Sequence, residues 1–325
     1  MRIGTRVAAF TFAAALAAVV QGVLAQEFPV RPLRLVVPSS PGGGTDTTAR
    51  ILSPKLTELF GQQVVVENRP GASTIIGMDA VARSSPDGYT MLIGNSTMTI
   101  IPSTHRKLPV HPVKDLAAVL QLTEVPLILV AHPSFPGKNF REFLAIARRQ
   151  PGKIDYAAGA YGGSGHMAME LLLHAAGVKV VYVPYKSGNV GLTDTLAGQV
   201  PVMMGSMLSI LPHVKSGRLR TYGVTGLRRI STAPDIPTIS EAGLPGYQAI
   251  QWFGIFVATG TPKEVISRIH GVFSHAVGDS SVRKQLINDG AEPHVSKSPE
   301  EFAAFVRNEV AKWAKVVKSA GIKQQ

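Results

Sequence analysis

The chain has 325 residues, 45% of them hydrophobic and 17% charged, with 32 Gly, 23 Pro and no Cys. That balance belongs to a folded globular chain of one large or two ordinary domains. Zero Cys excludes disulfide staples, Cys-ligated zinc, thiol nucleophiles and a lipid-modified Cys behind a leader, while 33 basic against 21 acidic residues, a formal +12, point to nucleic acid or to anionic ligands.

Residues 1–25 carry Arg2 and Arg6, no acidic residue, an apolar run from Val7 to Val20, and the ending Val23-Leu24-Ala25. A basic start, an apolar stretch and a small residue at the cut make a secretory signal peptide cleaved after Ala25. The apolar run is shorter than the ~20 residues that cross a bilayer, and no later stretch is apolar for long enough. The mature chain is therefore expected in a bacterial periplasm, with 31 basic and 21 acidic residues left. Residues 127–248 hold 12 basic and 6 acidic residues, so the excess is spread rather than concentrated. Its densest stretch, Lys215, Arg218, Arg220, Arg228 and Arg229, lies within apolar strand-like sequence and lacks stacking aromatics. Location and charge pattern together argue for a solvated basic surface and against a nucleic-acid partner.

From residue 33 onward, short β-branched runs alternate with Gly/Ser/Pro loops and helical periodicity, which predicts an α/β fold with largely parallel sheets. Residues 33–37 read as the first strand, followed by the loop 38–44. Thr45 or Asp46 can cap the next helix, whose apolar face is Ala49, Leu52, Leu56 and Leu59 and whose stop is Gly61. A second strand at 64–66, a turn at 68–71, a helix through Val81 and a third strand at 89–93 complete this block. The middle repeats the pattern four times. Strands at 127–130, 154–157, 180–183 and 202–204 lead into small polar loops, among them Gly159 to Gly165, Pro184 to Asn189 and Gly205-Ser206. The last part has a Trp-bearing strand at 250–259, a helix starting at Thr261-Pro262, and a final helix with Ser298 and Glu301 in capping-box spacing and Pro299 at its first position.

Each small loop stands where a strand ends and a helix begins, which is where open α/β sheets bind ligands. Helix starts offer unpaired N–H groups and partial positive charge, so several converging starts favour an anion by about 0.3–1 kcal/mol each. Two such blocks joined by crossing strands make two lobes around a cleft. Gly42-Gly43-Gly44 lacks the Lys-Ser/Thr of a phosphate-binding P-loop and is not G-x-G-x-x-G, so nucleotide is not expected. Ser164 lacks the Gly two residues on that a nucleophile elbow needs, and the nine His show no metal-ligand spacing. An exported hydrolase is therefore disfavoured; no cofactor or metal is expected. Asp46 reads as a helix cap or as a ligand contact, and Trp252 and Trp313 as core or hinge.

The ordered strings Arg31-Pro32-Leu33-Arg34-Leu35-Val36-Val37-Pro38, Pro41-Gly42-Gly43-Gly44-Thr45-Asp46, Val66-Glu67-Asn68-Arg69-Pro70-Gly71-Ala72 and Pro86-Asp87-Gly88-Tyr89-Thr90 resemble the tripartite tricarboxylate transporter solute receptors, the Bug-type extracytoplasmic binding proteins. Val183-Pro184-Tyr185-Lys186, Leu196-Ala197-Gly198-Gln199-Val200 and Pro234-Asp235-Ile236-Pro237-Thr238 continue the match over nearly the whole mature chain. The resemblance implies a two-lobe, type II-like periplasmic-binding fold, with residues 26–126 plus 249–325 as one lobe and 127–248 as the other. It implies a monomeric, non-catalytic receptor that takes a small carboxylate solute into the cleft and delivers it to membrane permease subunits; a sensor presenting its solute to a signalling protein needs the same cleft. The ligand residues it implies, with the hydroxyls at the strand ends, are Ser39, Pro41, Gly42, Gly43, Asp46, Ser96, Thr97, Tyr161, Gly163, Ser164, His166, Tyr185, Lys186, Ser187 and Ser206. Two departures stand out: Pro201 and Gly205-Ser206 replace acidic positions, and Ser73-Thr74 replaces a Gly pair.

Overall fold

The computed structural model describes residues 28–230, 232–319, 321, 322 and 324. The signal-peptide reading of residues 1–25 lies outside them. The first block is β1 (Leu33–Val37), α1 (Gly44–Phe60), β2 (Val64–Asn68), a 3-10 turn (Ala72–Thr74), α2 (Ile75–Ala82), β3 (Thr90–Asn95) and α3 (Thr97–Thr104). The 16-residue strand β4 (Leu116–Ala131) then leads to α4 (Phe140–Arg149), β5 (Asp155–Ala158), α5 (Ser164–Ala176), β6 (Val181–Pro184), α6 (Gly188–Leu196), β7 (Val202–Ser206) and α7 (Met207–Lys215). After β8 (Arg220–Val224) and α8 (Ile239–Ala242), the chain returns through β9 (Ile250–Ala258), α9 (Lys263–Gly278), α10 (Ser280–Asn288), β10 (Glu292–Pro293) and α11 (Pro299–Ser319).

The strands run in the order β2-β1-β3-β9-β4-β7-β5-β6, with β8 and β10 also on β4. Pairing is parallel within β2-β1-β3 and within β6-β5-β7. It is antiparallel wherever β4 or β9 takes part, so the sheet is mixed rather than mostly parallel. The cause is connectivity: the chain crosses between the two halves on β4 and returns on β9 beside it, and neighbouring strands that cross in opposite senses pair antiparallel. The first part of β4 pairs β9 from Leu116 to Pro126, and its last part pairs β7 from Leu127 to Ala131. One strand thus carries both halves.

The core follows the same division. One cluster packs α1 and α9 on β1 and β9 through Leu52, Leu56, Phe253, Ile255 and Phe273, and continues through Ile128 and Val130 of β4 into the second half. Another fills the second half behind β5, with Phe140, Phe143, Tyr156, Leu172 and Tyr222. The final helix α11 lays Phe302 and Val306 on Trp252 and Phe256 of β9, so Trp252 is core. Its other end places Trp313 and Val317 against Ile100 of α3 and Met167 of α5, an apolar contact shared by both halves. No helix among the described residues is long and apolar enough to cross a membrane.

Helix ends refine the sequence reading. Gly61 closes α1 in the left-handed conformation, φ 66°, as a Gly beyond a helix does. The cap at its start is Gly43, not Thr45 or Asp46, and α5 is capped by Gly163 with Ser164 as its first residue. Ser298 Oγ accepts the Glu301 N–H at 3.3 Å, but the Glu301 carboxylate accepts from Lys297 N, one residue earlier than a capping box predicts.

Gly254, at the centre of β9, shows what holds α11 in place. A β-carbon there would collide with the Phe302 ring and lie 2.9 Å from the Leu120 carbonyl, whereas one at Gly271, inside α9, would meet open space. Gly254→Ala is expected to destabilise the protein by about 1–3 kcal/mol through overpacking, and Gly271→Ala to stabilise it by up to ~1 kcal/mol through helix propensity. Chemical denaturation of the two variants checks both signs.

Candidate functional site

Five helices start at the carboxyl ends of parallel strands or their neighbours: α1 after β1, α3 after β3, α5 after β5, α6 after β6 and α7 after β7. Their N-cap residues, Gly43, Ser96, Gly163, Ser187 and Ser206, form no side-chain capping bond. Elsewhere, α4, α8 and α10 are capped by Asn139, Thr238 and Asp279 in the ordinary way. The N-cap residues where the loops converge thus leave their helices uncapped, as Pro262 does for α9, although Asn95 Oδ1 accepts from Thr97 N at 3.0 Å and Thr97 Oγ1 from Ser164 N at 3.2 Å. The starts of α1, α5, α6 and α7 line one cavity of about 150 Å³, together with Ser39, Thr45, Asn95, Thr97 and Gln251. Ser39 Oγ, Ser187 Oγ, Ser206 Oγ and Gln251 Oε1 are buried in its wall without a hydrogen-bond partner among the described residues. A buried polar atom left unpaired costs about 1–3 kcal/mol, so such a cluster is built to meet a polar solute.

The lining is nearly neutral, its one charged residue being the exposed Lys186. Glycine is required where chains approach: a β-carbon on Gly44 would lie 2.7 Å from Ser206 Oγ, and one on Gly165 2.6 Å from the Met204 carbonyl. Among the described residues, three bonds cross the cleft. Ser73 Oγ donates to the Tyr161 carbonyl at 2.9 Å, Ser164 N to Thr97 Oγ1 at 3.2 Å, and Asn189 Nδ2 to the Pro41 carbonyl at 3.3 Å. The turn bearing Ser73 is strained, with Ala72, Ser73 and Thr74 at φ 44°, 52° and 81°. Ser73 and Thr74 are the positions where the sequence departs from a Gly pair, and glycine would adopt them without steric cost.

Of the residues expected at the site, Ser39, Gly43, Thr97, Gly163, Ser164, Lys186, Ser187 and Ser206 line the cavity. Pro41, Gly42, Asp46, Ser96, Tyr161, His166 and Tyr185 do not. Asp46 is buried beneath the first loop, accepting from Gly42 N, Arg50 Nε and Asn68 Nδ2 at 2.8–2.9 Å. Burial opposes its charge, but those bonds and the Arg50 guanidinium hold its carboxyl below the usual range. Tyr185 turns away to donate to Asp194, and burial with that carboxylate pushes its phenol up to about 12. Ser96 is buried beside the lining, and Pro41 and Gly42 sit at its rim under Asn189. Reading from sequence missed Thr45, Asn95, Ser73, Thr74, Asn189 and Gln251. A polar Gln inside the apolar run 250–259 was the one available signal for Gln251.

His166 supports the second loop from behind. Its Nδ1 accepts the Gly162 N–H at 3.1 Å, and its ring lies between Tyr161 and Tyr182 at centroid distances of 4.7 and 4.1 Å. Tyr182 donates to the Gly159 carbonyl, while Glu170, 3.9 Å from His166 Nε2, accepts from Tyr156. Burial lowers His166 to about 4 and raises Glu170. The folded state therefore favours neutral His166: its contribution is complete above pH ~6.5 and is lost as pH falls toward 4, on the order of 3 kcal/mol in all. Raised Glu170 works in the opposite sense, so His166→Gln, which keeps an acceptor, is expected to lose less unfolding free energy than wild type as pH falls through this window. Parallel curves would contradict it.

The chain matches the family model of the tripartite tricarboxylate transporter family receptor over residues 48–322. It is similar to the periplasmic binding protein BugD (32% identity, TM-score 0.86, covering 92% of this chain and 100% of that one). An R. palustris protein solved with adipate is 33% identical with TM-score 0.88, covering 92% and 100%. MatC of Rhodopseudomonas palustris, with bound malate, is 31% identical with TM-score 0.82, covering 89% and 100%. The α/β architecture with its mixed sheet is that of these periplasmic binding proteins, and this chain belongs to the tripartite tricarboxylate transporter receptor family.

Proposed function

We propose that this solute receptor holds one small carboxylate in the 150 Å³ cavity. The carboxylate sits on the amides at the starts of α1, α5, α6 and α7, with Ser39, Ser187 and Ser206 as hydroxyl donors and Lys186 at the mouth. A cavity of that size takes one benzene in an engineered apolar core, so the part of the solute inside it has roughly six to ten non-hydrogen atoms. Gln251, on the crossing strand, meets a further polar group there. Residues 26–126 with 249–325, and residues 127–248, act as the two lobes, and their closure presents the loaded cleft to the permease subunits. Export by the leader and action as a monomer complete the reading. Adipate and malate in two relatives support it. The observation that carries it is the convergence of uncapped helix starts and unpaired hydroxyls on one enclosed space. Catalysis forms no part of it, and the matched family is one of receptors.

Thermal unfolding of the mature protein against a panel of mono-, di- and tricarboxylates, with neutral sugars as controls, tests the solute class. A bound acid at a hundredfold excess over its Kd adds about 2.7 kcal/mol of stability. Stabilisation by sugars and by no acid would refute the carboxylate reading. Ser164→Asp separates binding from folding, because an acid in the first turn of a helix stabilises the helix while repelling an anion at its start. This variant is expected to unfold no earlier than wild type and to bind at least tenfold more weakly by calorimetry.

A further inference from the structure

A groove of about 620 Å³ adjoins the cavity, and Asn189 and Ser209 line both. Asn189, common to both linings, donates to the Pro41 carbonyl at 3.3 Å. Gly42 is close by, since a β-carbon there would lie 3.5 Å from Asn189 Nδ2. Beyond Asn189 the groove changes character. Its floor is apolar, formed by Leu192, Leu196 and Ala197 of the α6 segment. Its far end is basic, formed by His213 and Arg218. Burial and the nearby Arg218 charge both lower His213, which places the two groups within electrostatic reach of each other. Arg218 enters no ion pair among the described residues, unlike Arg229, which pairs Glu241, and Arg220, which is spent on the carbonyls of Phe135 and Gly137.

We propose that this groove is an outer subsite for the second carboxylate of a longer, straight-chain diacid, whose first carboxylate occupies the helix starts. The inference rests on the carboxylate reading of the cavity and names the class of solute within it. Ser209 and His213 stand four residues apart on α7, about 6 Å along its axis. Both line the groove, so it follows one face of that helix from the cavity wall to the basic end. A spacer of about four to six methylenes covers such a gap at C–C bonds of ~1.5 Å. It lies on the apolar floor, while Arg218 forms the forked bond that guanidinium makes to a carboxylate. Because Arg218 is exposed, its contribution to affinity is modest and salt-sensitive. A short diacid, held wholly inside the cavity, gains nothing from it.

Calorimetric titration of the mature protein with succinate and with suberate, each against wild type, Arg218→Gln and Asn189→Ala, tests the subsite. Arg218→Gln is expected to weaken suberate about threefold to tenfold at low salt and to leave succinate unchanged, the difference shrinking at high salt. Asn189→Ala, which removes the side chain common to both linings and its bond to Pro41, is expected to raise the affinity for suberate relative to succinate. The subsite is overturned if wild type binds succinate and excludes suberate, or if Arg218→Gln alters both acids equally or neither. Binding of neither acid by wild type would overturn the diacid subsite, while the carboxylate reading falls only if no acid of the wider panel stabilises the protein, so the two failures are distinct.

Discussion

The structure depends on an unmet demand for hydrogen-bond acceptors. Every α-helix begins with N–H groups that have no partner within the helix, and the N-cap residues around the cleft supply no side-chain cap, whereas those of α4, α8 and α10 do. Glycine and short hydroxyl residues stand at the uncapped starts because a larger side chain would fill the space, as the 2.7 Å approach of a Gly44 β-carbon to Ser206 Oγ shows. An anion arriving there exchanges its hydration shell for dipoles already fixed in place by the strands behind them. Fixed neutral donors distinguish solutes by shape and donor position, where a cluster of Lys or Arg would accept many anions.

Charge consequently does its work outside the cavity. The densest basic stretch reads in sequence as solvated surface, yet its members have separate tasks. Arg220 ties the loop after β4 by donating to the Phe135 and Gly137 carbonyls at 3.1 and 2.9 Å, and Arg229 bonds Glu241 at 2.9 Å and the Pro234 carbonyl at 3.0 Å. The remaining excess is spread over both halves. It favours the approach of anions at a distance, within the ~10 Å reach that salt allows, and contributes little to their discrimination once bound.

Loop positions were legible from sequence because a strand, a small-residue loop and a helix start are each local patterns. The direction a side chain takes from such a loop is not local. Asp46, His166 and Tyr185 lie within a few residues of the cavity lining, yet each is claimed by a neighbour: Asp46 by Arg50 and Asn68, His166 by Gly162, Tyr185 by Asp194. Gln251 and Asn95 went unseen for the opposite reason, since they belong to strands whose pairing brings them under the cleft. The alternation of strands and helices likewise indicated parallel pairing in each half. It carried no information about the two crossing strands, whose antiparallel register depends on contacts more than a hundred residues apart.

The bonds that join the two halves are individually modest. The three bonds across the cleft contribute about 0.5–1.5 kcal/mol each by the ordinary worth of a hydrogen bond. The left-handed turn Ala72, Ser73 and Thr74 costs about 1–2 kcal/mol for each residue in that conformation. Its strained backbone aims the hydroxyl of Ser73 that reaches Tyr161. A glycine pair at Ser73 and Thr74 would remove much of that strain and the Tyr161 bond together. The departure from glycine thus trades backbone strain for a hydrogen bond between the halves.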